Sequence, residues 1–171
     1  MDFDSVDGEI TSFTGTRNFV IIPSTIDGRD VNIIGESAFA DNNTFFRVKV
    51  LYGVDYIESA AFKNCRRLKS FYLPNNLNEI GDGAFSDCIQ LSDIQIPESV
   101  TKIGSNAFSN CRKLSNIKLP KRLKRIESNT FHYCTNLEEI MIPPSVRYIS
   151  LTAFKNRAKS GDSRQKRFVC N

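Results

Sequence analysis

Five cysteines, one histidine and two adjacent glutamates are the residues of this chain whose types could do chemistry. Thiolates attack electrophiles, bind zinc or close disulfides. A histidine or a carboxylate pair moves protons. Here the spacing argues against each use. Cys65, Cys88, Cys111 and Cys134 stand 23 residues apart, whereas a zinc site usually announces itself by a close pair such as Cys-x-x-Cys. In a chain that coils on itself, they form a straight row with parallel Cβ vectors about 4.8 Å apart. A disulfide wants Cβ atoms roughly 3.5–4.5 Å apart and converging. The four are therefore expected to be small buried residues with weak S–H donors to a turn. Cys170 lies off the row and reads as a free, reactive thiol. His132 shares its offset with Ala40, Lys63, Ser86, Ser109 and Lys155, and is expected to be exposed. Glu138 and Glu139 are strand neighbours that point to opposite faces, and Asp82 and Asp87 fall in surface turns. No Ser-His-Asp set, phosphate-cradling glycine loop or His/Cys cluster occurs. The chain is expected to be no enzyme and to use no cofactor or metal.

The elements that hold these residues follow from a repeat. Phe39, Phe62, Phe85, Phe108, Phe131 and Phe154 recur every 23 residues; all but Phe131 follow alanine. Each cysteine comes three residues after a phenylalanine, with Asn42 at that place in the first copy. Apolar rows follow at fixed offsets: Phe45, Leu68, Leu91, Leu114 and Leu137; Val48, Phe71, Ile94, Ile117 and Ile140; Val50, Leu73, Ile96, Leu119 and Ile142. Prolines 74, 97, 120 and 143 come next, and Ile34, Ile57, Ile80, Ile103, Ile126 and Ile149 close the units. No single coil can bury its apolar side, but stacked coils share one continuous core. The alternation before each proline predicts a parallel strand, and the proline ends it. The Ile-Gly-x-x-Ala-Phe segment predicts a second short strand and a tight turn, and the stretch from Phe to Cys a helical turn. The expected architecture is an α/β, strand-dominated right-handed solenoid of about six 23-residue coils, roughly 30 Å long.

The unit Cys-x-x-Leu-x-x-Ile-x-Leu-Pro-x-x-Leu-x-x-Ile-Gly-x-x-Ala-Phe-x-x, read at residues 65–87, 88–110, 111–133 and 134–156, resembles the BspA-like leucine-rich repeat, named for a bacterial surface antigen. The lead-in from Gly8 to Gly28 resembles the amino-terminal part of such proteins. Its Pro23-to-Ile34 interval is 11 residues against 6 for Pro74 to Ile80, an insertion around Asp27-Gly28. The resemblance covers about residues 8–156. It implies protein–protein or cell-surface recognition, including cell adhesion.

The chain divides into residues 1–38, cap strands and a lead-in coil; 39–156, the regular repeats; and 157–171, a basic tail. Leu51 departs from the pattern by replacing a proline, and Glu58, Glu127 and Ser150 replace the glycine. Beyond Phe154 it fails, with Arg157 where a cysteine stood, and a charge cannot join an apolar row without a large penalty. Arg167-Phe168-Val169-Cys170 reads equally as tail or as a last strand closing the open end, which needs some cap.

The net charge of +4 is a property of the tail: residues 155–171 hold six basic residues and one acidic, the rest 17 basic and 18 acidic. No run of about 18 apolar residues offers a transmembrane helix. The acidic Met1–Ser5 segment is not a signal peptide. An extracellular or cell-surface setting is nonetheless expected from the resemblance, with a cytoplasmic scaffold or effector as the alternative.

Surface is what remains for function. Between core positions, Arg47, Lys49, Ser70, Tyr72, Asp93, Gln95, Asn116, Lys118, Glu139 and Met141 point outward from one sheet face. They vary from coil to coil, as a scaffold displaying a chosen pattern would. Phe19 and Ile21 continue this face, with the Ile10–Phe13 segment placed to cover them. Tyr and Arg are the types most enriched at binding hot spots, so Arg47 and Tyr72 are the first anchors for a protein or glycan ligand. Lys102, Lys121, Arg122, Lys124, Arg125 and Arg147, joined by Lys118, gather into a basic patch on adjoining coils, suited to sulfated glycans, anionic headgroups or an acidic protein. No interleaved aromatic platform accompanies it, which argues against single-stranded nucleic acid.

Overall fold

A computed structural model describes residues 2–155 and the backbone of residues 168–170. The basic tail before residue 168 and the Cys170 thiol lie outside the described residues.

The 23-residue period becomes a stack of coils with two parallel sheets. The first joins Phe19–Ile22, Arg47–Val50, Ser70–Tyr72 and Asp93–Ile94. Its register pairs Val48 with Phe71 and Phe71 with Ile94, so each apolar row becomes a ladder. The second joins Ile33–Ile34, Tyr56–Ile57, Glu79–Ile80 and Lys102–Ile103. Between the sheets lie the phenylalanine, cysteine and leucine rows, nearly all fully buried. The amino terminus covers one end: Phe3–Val6 and Glu9–Phe13 form an antiparallel pair joined to Ile33–Ile34. Phe13 stacks on Phe39 at a ring distance of 5.0 Å. The insertion after Pro23 is a small hairpin, Thr25–Ile26 with Arg29–Asp30. Asp27 and Gly28 both take positive φ at its tip, as a two-residue hairpin turn requires.

The expected helical turns are absent: no helix occurs among the described residues. The reason lies in alternate amides. Ala61 and Lys63 donate within the turn, to Glu58 and Ala60. Ala60, Phe62 and Asn64 donate instead to the next coil, to the carbonyls of Asp82, Ala84 and Ser86, each at 2.8 Å. An α-helix needs every amide to donate four residues back along its own chain. The alternation is produced by left-handed residues on either side of the phenylalanine. Ala60 and Asn64 have φ of 55° and 60°, and Asn106 and Asn110 have 57° and 61°. Asparagine tolerates this region, and Gly83 meets it without penalty.

Two further expectations change. Phe19 and Ile21 are exposed, because Glu9–Phe13 pairs into the other sheet and cannot cover them. Residues 114–120 form no strand, so Asn116 and Lys118 sit on an irregular segment. The first sheet stops at Asp93–Ile94 and resumes with Ile140–Ile142, which pairs in parallel with Phe168–Cys170. The second sheet breaks at the same level, between Lys102–Ile103 and Arg125–Ile126. There Lys102 and Arg125 occupy equivalent places, and like charges directly opposite each other weaken a strand pair. On the turn side the coils stay joined: Asn106, Phe108 and Asn110 donate to the carbonyls of Ser128, Thr130 and His132 at 2.9, 2.9 and 2.7 Å. Coils 88–110 and 111–133 are thus joined by backbone hydrogen bonds at the turn and splayed at the strands only to the extent of losing their ladder bonds, since the Phe108 and Phe131 rings still stack at 5.7 Å.

Candidate functional site

Strand alternation sends every second side chain of the first sheet outward. Arg47, Lys49, Tyr72, Asp93, Gln95, Asn116, Lys118, Glu139 and Met141 are exposed, and Ser70 is half-buried. Parallel register sets them in two rows: Arg47 pairs with Ser70, and Lys49 with Tyr72. The Arg47 guanidinium lies 5.8 Å from the Phe19 ring centroid, a cation–π distance.

Where the ladder opens, the face holds a cleft of about 760 Å³. Tyr72, Asn75, Asp93, Gln95, Asn116 and Lys118 line it, over a floor of core residues such as Ile94 and Ile117. Five of these six are sequence-predicted display residues; the structure adds Asn75 and Glu98. Asn75 carried no signal beyond its place after Pro74. Glu98 joins the splayed coils: one carboxylate oxygen is 2.9 Å from Lys118 Nζ and the other accepts the Lys121 amide at 2.8 Å. The Lys121 amide, then the Lys118 ammonium, hold the Glu98 carboxyl below the usual carboxylate range.

The cations expected to form one patch are divided by acidic partners. Lys102 pairs with Glu79 at 2.5 Å, which raises its pKa. Arg125 pairs with Glu127 at 2.7 Å and lies 4.0 Å over the Tyr148 ring centroid. Lys121, Arg122, Lys124 and Arg147 are exposed around the corner between the sheets. A recess of about 230 Å³ between the splayed coils is lined by Lys102, Lys124, Arg125 and Glu127. Sequence reasoning passed over Glu79 and Tyr148. The signal for Glu79 was its 23-residue offset from Lys102, which places the two side by side in the stack.

The chemically capable residues serve the stack. Cys65, Cys88, Cys111 and Cys134 are fully buried and in no disulfide. Each Sγ–H donates to the carbonyl of the phenylalanine one coil back, at 3.1–3.2 Å. Burial pushes the Cys65 thiol up to about 12 and raises those of Cys88 and Cys111 well above their ordinary value. His132 is half-buried, not exposed, because its ring lies against Tyr133 at 4.3 Å. Burial, then Lys155, lowers its pKa. Asp82 accepts the Ser105 amide at 2.7 Å and Asp87 the Asn110 side chain at 2.6 Å, so both tie coil to coil. Among the described residues no cluster of three or more His, Cys, Asp or Glu could hold a metal ion. No helix there is long and apolar enough to cross a membrane.

Comparison with known proteins agrees with this geometry. A family model for the BspA type leucine-rich repeat region matches residues 32–160 in six copies. The chain is similar to a leucine-rich repeat protein of T. pallidum, with 26% identity and a TM-score of 0.78 over 89% of this chain and 83% of that one. It is similar to a leucine rich cell surface protein from Faecalibacterium prausnitzii A2-165, with 28% identity and a TM-score of 0.74 over 87% of this chain. The match spans 48% of that protein's length. A leucine-rich repeat protein from Eubacterium ventriosum ATCC 27560, at 22% identity and a TM-score of 0.64, shares the fold. No curated protein matches the chain.

Proposed function

The chain belongs to the BspA type leucine-rich repeat family, and from that premise we propose that it is a non-catalytic recognition module working at a cell surface. The two rows of varied side chains on the first sheet are its contact surface. The observation that carries this reading is the contrast within one repeat. Core positions stay apolar from coil to coil, while outward positions run through Arg47, Ser70, Asp93, Asn116 and Glu139. A face that needed only water would gain nothing from mixing both charges with an exposed tyrosine and methionine. The cell-surface setting is supported by the F. prausnitzii relative, which is a cell surface protein.

The test is solid-phase binding to extracellular-matrix proteins and to intact cells. The wild-type chain runs beside a variant carrying Arg47→Ala, Tyr72→Ala and Lys118→Glu. Hot-spot truncations each cost about 2 kcal/mol or more. The triple variant is therefore expected to weaken a strand-face contact at least ~100-fold with its circular dichroism unchanged. Equal binding by both chains would reject the strand face as the contact surface.

A second reading rests on the corner cations. Glu79, Glu98 and Glu127 engage Lys102, Lys118 and Arg125, which leaves the charge of Arg122, Lys124 and Arg147 for a polyanion such as a sulfated glycan. This predicts retention on immobilised heparin that falls steeply with salt. An Arg122→Glu/Lys124→Glu variant should elute at clearly lower salt; coincident elution of the two proteins would dismiss this reading.

A further inference from the structure

We propose that the cleft between Tyr72 and Lys118 is a binding site for a neutral oligosaccharide. The inference rests on the strand face being the recognition surface and names the ligand chemistry that one part of it accepts.

Size is the first argument. A volume of about 760 Å³ falls in the range of small-molecule sites, roughly 300–1,000 Å³. It suits two or three sugar rings. The lining is the second. Asn75, Gln95 and Asn116 bring three carboxamides to one cleft, with the Asp93 carboxylate among them. A carboxamide carries both donors and an acceptor, and a hydroxyl is likewise both. A ligand dense in hydroxyl groups can therefore satisfy such a lining, and an apolar one cannot. Tyr72 supplies the one aromatic ring of the outward rows between Lys49 and Met141 and is 43% exposed. It offers an apolar face with a polar tip, which matches the apolar CH face of a pyranose bordered by hydroxyls.

Charge and spacing exclude the other occupants. Lys118 is held by Glu98, and Asp93 adds a negative charge, so a sulfated or phosphorylated sugar is disfavoured here. A peptide strand inserted between the splayed coils would need about 4.8 Å on each side. The Phe108 and Phe131 rings of those coils stack at 5.7 Å, and the turn-side hydrogen bonds hold the coils at that spacing.

The experiment is an amide-resolved NMR titration of the full chain with maltotriose, lactose and triacetylchitotriose, each to about 10 mM. Saturable shifts are expected at residues 72, 93, 95 and 116 with at least one of the three. Tyr72→Ala should weaken that binding at least ~10-fold and Gln95→Ala several-fold, whereas Tyr72→Phe keeps the ring and should retain it. Spectral dispersion shows that each variant is folded. No saturable shift with any of the three sugars overturns the proposal. So do shifts confined to other residues, or binding that Tyr72→Ala leaves unchanged. Heparin or a peptide perturbing the cleft while the neutral sugars do not would also overturn it. A matrix protein that still needed Arg47 and Lys118 would then leave the recognition reading standing, so the two failures are separable.

Discussion

Replacing Phe85 by alanine is expected to cost about 3–5 kcal/mol, the range for truncating a fully buried phenylalanine. The upper half is favoured by what Phe85 touches. It is fully buried and stacks nearly parallel on Phe62 at 5.5 Å and on Phe108 at 5.4 Å. Phe71 meets it edge-on at 4.9 Å. Ring pairs of this kind contribute about 0.5–1.5 kcal/mol each beyond burial. The cavity cannot collapse easily, because backbone bonds on both sides fix the coil spacing: Phe62 N–H to Ala84 and Phe85 N–H to Ala107, each at 2.8 Å. Guanidinium unfolding followed by circular dichroism measures the loss. Phe154→Ala should cost about half as much, since Phe154 is half-buried. A loss below about 1.5 kcal/mol for Phe85→Ala would show that the stack absorbs a missing ring.

Stability should fall steeply in alkali, because of the buried thiols. The folded-state pKa values of Cys65, Cys88 and Cys111 are raised above the ordinary 9.0. A raised folded pKa gives a contribution fully present below the unfolded value and lost as pH rises toward the folded one. Between about pH 9 and 12 the unfolded chain releases protons that the folded chain keeps. Each thiol then removes about 1.4 kcal/mol per pH unit, and the three together about 4. Lysines and tyrosines titrate in the same window, so the comparison is with a Cys88→Ala/Cys111→Ala variant. Its stability curve should be shifted by a constant cavity cost but be shallower above pH 9 by roughly two thirds of the thiol contribution. Parallel slopes would mean that these thiols ionise in the folded state.

The period, the core rows and the buried cysteines were legible because each depends on one residue type at one offset. The cysteine donors were legible too: a small polar residue beside a turn, with Asn42 at the same offset, suggested them. The turn was not. Ser37, Ala60, Gly83, Asn106 and Asn129 share a left-handed backbone, yet alanine and serine give no hint of it, and the segment is short enough to suit a helical turn. The conformation goes with bonding to the next coil, whose carbonyls accept from alternate amides. Asn116 and Lys118 are exposed, but the strand expected to carry them is absent. Ile94 and Ile117 continue the same apolar row as Val48 and Phe71, so the row predicts a ladder through all of them. That Lys102 and Arg125 occupy equivalent places on neighbouring coils is visible only after the coils are stacked. The divided basic cluster has the same origin: Glu79 and Lys102 are 23 residues apart in the chain and 2.5 Å apart in the fold.

The splayed junction also bears on how the molecule comes apart. In a linear array, cooperativity is transmitted only through contacts between neighbouring units. The junctions up to residue 110 couple through the turn and both sheets, the one between residues 88–110 and 111–133 through the turn, the core rows and the Glu98 side chain, and the next through the turn and the second sheet. The junction between residues 88–110 and 111–133 has the fewest backbone couplings along the stack. The stack is then expected to unfold as two blocks in series, a longer one sealed by the amino-terminal hairpin and a shorter one that includes the Phe168–Cys170 strand. Partial unfolding would begin by parting them at the cleft, so a ligand bridging Gln95 and Asn116 would act as a clasp across the seam.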